Sequence, residues 1–160
     1  MNDVYAAPSS DLTNDNVDNI FVFERFSTWF VIGLTIITLS VYIVYWLYTR
    51  TVKLNSVVEN QISTFFINFV LIFYIATLVF TIGVEFVEVN KTVGLISSLA
   101  DFMSNILVLV WVFKFKSRVS QMVLNDPIKL SPVITFFFQV FYLQYKLNEI
   151  IDYRNSSLQP

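Results

Sequence analysis

Three apolar runs of about twenty residues each, at 26–48, 62–84 and 92–113, constrain this chain more than anything else in it. A bilayer core roughly 30 Å thick takes about 20 helical residues to cross, and lipid offers no water to satisfy a bare backbone. Runs of this length are therefore expected to lie in a membrane as helices. Composition agrees: 56% of residues are hydrophobic, 18% aromatic and only 14% charged, too few for a polar shell around a water-filled surface. The expected fold class is all-α, a polytopic membrane helical bundle with three transmembrane helices plus a fourth short helix, membrane-embedded or spanning.

Residues 1–25 differ from the rest. They are rich in Asn, Asp and Ser, and they lack the apolar stretch behind a positive flank that marks a cleaved signal peptide. They read as a flexible acidic tail before a single membrane helical domain at 26–154, with a short polar end at 155–160. Trp29 near one end of the first run, and Tyr42, Tyr45, Trp46 and Tyr48 near the other, read as aromatic girdles at headgroup level. Residues 49–61 then form a polar connection holding Arg50 and Lys53. Placing the tail outside puts Arg50, Lys53, Lys114, Lys116, Arg118 and Lys129 in the cytoplasm against Arg25 and Lys91, as the positive-inside bias expects.

The fourth segment, about 131–150, has an apolar stretch of fourteen residues that rises about 21 Å as a helix, short of a comfortable crossing. Ser131, Thr135, Gln139, Tyr142, Lys146 and Glu149 recur at spacings of four and three, one narrow polar stripe that suits a helix turned toward other helices. Its exit side is left open by the sequence.

Polar residues inside the runs are the candidate site. Gly94, Ser97, Ser98, Asp101, Ser104 and Asn105 share roughly 120° of one helical face, and Gly94 with Ser98 gives the small-xxx-small spacing that permits close helix approach. An ionised Asp101 near mid-membrane would cost from about 2.5 to more than 10 kcal/mol facing lipid. It is expected to find a hydrogen-bond partner among Asn105, Asn68, Thr35 and Thr38. Asp101, Asn105, Ser97, Ser98, Ser104 and Asn68 are thus a candidate polar intramembrane site, either a proton, cation or polar-solute site or a hydrogen-bonded packing device. Glu85 and Glu88, three residues apart, are a candidate cation-attracting mouth, or ordinary solvated acids. Asn68 and Gln139 read as interhelical glue.

Chemistry is narrowed by what is missing. With no His and no Cys, imidazole-assisted hydrolysis, the usual zinc ligands and thiolate nucleophiles are all unavailable. An intramembrane aspartyl dyad needs two carboxylates where the runs of one chain supply one. Three Gly leave no phosphate-cradling loop, and no basic patch of nucleic-acid-binding size is present. No enzyme activity, catalytic residue, cofactor or metal is expected, and no nucleic acid. The expected partners are the lipid bilayer and another membrane protein or a second copy of the chain. Three functions follow: interaction with other membrane components; a channel or transporter subunit around Asp101; or an immunity protein against a membrane-active toxin.

Phe26, Ser27, Thr28 and Trp29, then Ile37, Thr38 and Leu39, then Tyr42, Tyr45, Trp46 and Tyr48 resemble the first-span pattern of bacterial membrane proteins classed as domain of unknown function 4234. Tyr5, Pro8, Ser10, Asp11 and Leu12 resemble a leader found before small bacterial membrane domains, and FFQVFYLQYKLN at 137–148 resembles a C-terminal segment of related proteins. The chain departs from the pattern at Ser40, where the family has Gly. The resemblance implies a multi-pass protein of the bacterial cytoplasmic (inner) membrane, and supplies no activity.

Overall fold

The computed structural model describes residues 19–86, 90–124 and 126–158. After a short 3-10 turn at Asn19–Val22 come five α-helices: α1 Thr28–Ile37, α2 Val41–Asn55, α3 Thr64–Glu85, α4 Lys91–Met122 and α5 Pro132–Leu158, with no strand among the described residues. The all-helical class expected from the sequence is what the chain adopts. Two of these helices, α3 and α4, are long and apolar enough to cross a membrane. They form an antiparallel hairpin, and only 17% of the apolar window of each is buried. A core helix of a water-soluble domain would be mostly covered; these two leave Phe65, Ile72, Val79, Leu95, Leu99 and Phe102 outward.

The first run is a correction. Residues 26–48 do not form one helix. α1 stops after ten residues, about 15 Å of rise, because Leu39 and Ser40 take φ of 48° and 74°. The amide of Ser40 donates to Thr35 O at 2.8 Å and that of Leu39 to Ile36 O at 3.2 Å, the paired bonds of a Schellman ending. Thr38 joins the two helices: its hydroxyl donates to Leu34 O at 2.8 Å and accepts from the Tyr42 amide at 3.0 Å. The chain then doubles back. Lys53 Nζ lies 2.9 Å from Glu24 Oε1, so the two ends of the expected span sit side by side. The expected connection at 49–61 is likewise shortened, since α2 runs on to Asn55. The Asn55 amide then closes the remaining loop, donating to Ile62 O at 2.8 Å and accepting from the Ile62 amide at 2.9 Å.

The core lies at the end where α2, the last turns of α4 and the second half of α5 meet the 19–26 segment. Trp46, Leu47, Trp111, Phe115, Leu143, Leu147 and Ile150 are all 2% exposed or less. Phe115 takes edge-on contacts from Phe23 at 6.0 Å and Trp46 at 5.7 Å, and each such buried side chain contributes about 1.5–3 kcal/mol. Trp46 is therefore a core residue and not part of a girdle, whereas Trp29, 81% exposed, fits the girdle reading. The third run also outlasts its expected end, because α4 continues to Met122 to supply Phe115 and Val119 to this core.

The fourth segment is helical but bent. Gln139 has φ 40° and ψ −120°, so instead of bridging helices it marks a kink. Before the kink Val133, Phe136, Phe137 and Phe138 are exposed; after it Val140, Leu143 and Leu147 are buried in the core. Of the polar stripe, Thr135 and Tyr142 do face inward, and Lys146 pairs with Glu149 at 2.7 Å.

Candidate functional site

Asp101 sits half-buried on α4 facing α3. Its partner is Thr81, whose Oγ1 donates to Oδ1 at 3.0 Å, and none of the four residues expected from the sequence. Thr81 Oγ1 is also 3.2 Å from Ser97 Oγ. A hydroxyl carries one proton, so with that of Thr81 given to Asp101, Ser97 donates to Thr81. The result is a short directed chain from Ser97 through Thr81 to the carboxylate, between the two helices.

The six candidate residues divide. Ser97 and Ser104 are buried beside Asp101, and among the described residues the Ser104 hydroxyl has no hydrogen-bond partner. Ser98 and Asn105 are exposed and bond only their own helix, to Gly94 O at 3.0 Å and Asp101 O at 2.8 Å. Asn68 is exposed on α3, away from Asp101. Thr35 and Thr38 are spent on carbonyls of α1. Of the candidate mouth, Glu85 is exposed at the end of α3, and Glu88 lies outside the described residues. Among the described residues, no three His, Cys, Asp or Glu side chains converge as metal ligands would.

Two polar features were not anticipated. The first is an amide network on α5. Gln144, 1% exposed, accepts from Trp46 Nε1 at 2.8 Å and donates to Phe26 O at 3.1 Å and Asn148 Oδ1 at 2.9 Å. Asn148 in turn donates to Phe26 O at 2.7 Å and accepts from the Phe26 amide at 3.2 Å. One turn further, Arg25 grips Asp152 with Nε at 2.8 Å and Nη2 at 3.1 Å. The base of the α1–α2 hairpin is thereby fastened to α5. In sequence the only trace is the four-residue spacing of two amides, off the polar stripe.

The second is Arg50, buried at 8% exposure on α2. Burial pulls its guanidinium below the usual arginine range, and the nearby Glu24 charge opposes that. Glu24 itself is bonded to Lys53, and that hydrogen bond, with the lysine's charge, holds its carboxyl below the usual range. Arg50 borders a cavity of about 290 Å³ together with Glu24, Tyr42, Tyr45, Thr49 and Lys53. A second, wholly apolar groove of about 200 Å³ runs between α2 and α3, and Tyr45 lines both.

No curated protein and no solved structure matches this chain. A family model does, over residues 26–121. That segment holds the α1–α2 hairpin and α3 complete, and α4 to within a residue of its end; α5, which fastens the hairpin, falls outside it. With more than half of its length matched, the chain belongs to the family described as Domain of unknown function (DUF4234).

Proposed function

We propose that this chain is a multi-pass protein of the bacterial cytoplasmic membrane that works by helix association with another membrane protein or a second copy of itself, rather than by catalysis. In this reading α3 and α4 cross the bilayer and the α1–α2 hairpin dips into it and returns. Lipid supplies the cover that the outward Phe, Leu, Ile and Val side chains lack. The charge distribution supports one orientation: every Lys and Arg except Lys91 belongs to the hairpin base, the end of α4 or the chain beyond it. That end is cytoplasmic by the positive-inside bias. The N-terminal tail lies there too, opposite to the side expected when residues 26–48 were read as a crossing.

The observation that carries the association reading is the free edge of α4. A Cβ added to Gly94 would meet nothing within 4 Å, and Ser98 and Asn105, on the same side of the helix, make no bond to another helix. Small residues aligned with spare hydrogen-bonding groups suit close contact with a neighbouring helix, and in hydrocarbon they have no better partner. A photo-crosslinker at position 98 in cells is expected to trap a neighbour of defined mass, lost in Gly94→Leu, whereas one at Met103, on the opposite side of α4, traps none. Equal labelling from both positions would sink this reading.

A second reading, a proton or cation site, is favoured by the Ser97–Thr81–Asp101 chain. Ion flux or proton uptake in proteoliposomes that Asp101→Asn abolishes would establish it.

A further inference from the structure

Arg50 is the outlier among the cations near the core. Arg25, Lys53, Lys146 and Arg154 each hold a carboxylate within 2.9 Å, and Arg118 bonds Asn60 through its side chain and carbonyl. Arg50 is buried where Arg154 is half-buried, yet among the described residues it has neither an ion pair nor a hydrogen bond. Its nitrogens are not sealed off but open onto the cavity it lines, so the guanidinium has room there for an acceptor from outside. Glu24 is near enough for its charge to act on Arg50, but its one hydrogen bond goes to Lys53 at 2.9 Å and none joins it to the guanidinium.

We propose that the Arg50 cavity holds the phosphate of an anionic phospholipid, one acyl chain of which continues past Tyr45 into the groove between α2 and α3. The inference rests on the membrane reading above. The planar guanidinium fork matches two oxygens of a phosphodiester, and the two cations of the cavity, Arg50 and Lys53, outweigh its single carboxylate, Glu24, so its lining favours an anion. The continuation is what selects a lipid over free phosphate. The groove has no polar lining, is walled by Val41, Val44, Leu71, Ile75 and Leu78, and shares Tyr45 with the cavity. Its position, from the basic base of the hairpin toward the middle of α3, is the course a chain takes from headgroup level into the bilayer. Basic pockets between membrane helices on the cytoplasmic side suit such lipids.

Native mass spectrometry of the full chain from mild detergent, offered equal phosphatidylglycerol and phosphatidylcholine, tests this. One phosphatidylglycerol is expected to stay bound with a preference of about ten-fold, the size of a charged hydrogen-bonded contact. Arg50→Gln is expected to remove the preference, and Arg50→Lys, a point charge without the fork, to keep part of it. Leu78→Trp, which fills the groove and leaves the cavity charge intact, is expected to release the lipid as well; it keeps the test alive should Arg50→Gln fail to fold. Equal retention of the two lipids by the native chain, or displacement of phosphatidylglycerol by inorganic phosphate alone, would overturn the proposal. A chain that floats with phosphatidylcholine vesicles but shows no preference refutes the lipid site only; one that stays monodisperse without detergent and ignores vesicles refutes the membrane reading with it.

Discussion

Leu39 and Ser40 decide the shape of the N-terminal third. Their φ of 48° and 74° lie in the left-handed region, where an L side chain costs about 1–2 kcal/mol and glycine is free of that strain. Leu39 is 83% exposed, so its side chain gains little in return. Leu39→Gly is therefore expected to stabilise the protein by about 0.5–1 kcal/mol, the strain relieved less the entropy glycine loses on folding, read as a raised unfolding midpoint in detergent; a fall would mean the turn is not left-handed. The turn was nearly invisible in the sequence, since neither Gly nor Pro stands at 38–40 to punctuate the run. The one trace was Ser40, where the resemblance leads one to expect Gly, the residue that a positive φ favours. Asp101 was legible as a residue needing a partner, because a carboxylate in an apolar run stands out. That the partner is Thr81 was not, because a threonine in such a run is unremarkable until the register of α3 against α4 is fixed.

Among the elements, α3 and α4 could be read directly. Each is a continuous apolar run that folds as a single long helix. Residues 26–48 form such a run too, yet fold as the α1–α2 hairpin, because composition does not distinguish one long helix from two short ones joined by a turn. α5 could be read as a helix from its polar stripe. Its decisive side chains could not, because Gln144 and Asn148 earn their burial from Trp46 and Phe26, 98 and 122 positions away. The mouth of the hairpin gives a pH signature. Glu24 is held below its ordinary carboxyl value of 4.5 by the hydrogen bond and charge of Lys53. A depressed acid favours the folded state above its unfolded value, and that contribution disappears as pH falls through its folded one. The unfolding midpoint of the native chain should therefore exceed that of Glu24→Gln at about pH 7, and the gap should narrow as the pH falls below 4.5. The gap should be small and shrink in high salt, because the Glu24 side chain is 83% exposed. A gap that persists in acid would assign the effect of the variant to packing instead of charge.

For the whole molecule, the ion pair between Glu24 and Lys53 carries a topological consequence. Were residues 26–48 a crossing, those two side chains would be separated by the hydrocarbon thickness, about 30 Å; they are 2.9 Å apart. In the membrane reading proposed above, residues 24 and 25, the α2–α3 loop and the end of α5 then share one face of the bilayer, and the link between α3 and α4 reaches the other. Charge follows the same division: Arg25, Lys146 and Arg154 join the basic side instead of opposing it, and Lys91 is left as the single exception. The chain contains no Cys, so single cysteines report position without interference. With a membrane-impermeant thiol reagent on intact cells, Asn90→Cys is expected to label, while Ser10→Cys, Ser56→Cys and Asn155→Cys label only after the membrane is opened. Labelling of Ser10→Cys from outside, with Ser56→Cys still protected, would restore the single crossing and dissolve the hairpin, and with it the shared cavity at Arg50, because both depend on residues 24 and 53 meeting on the same side.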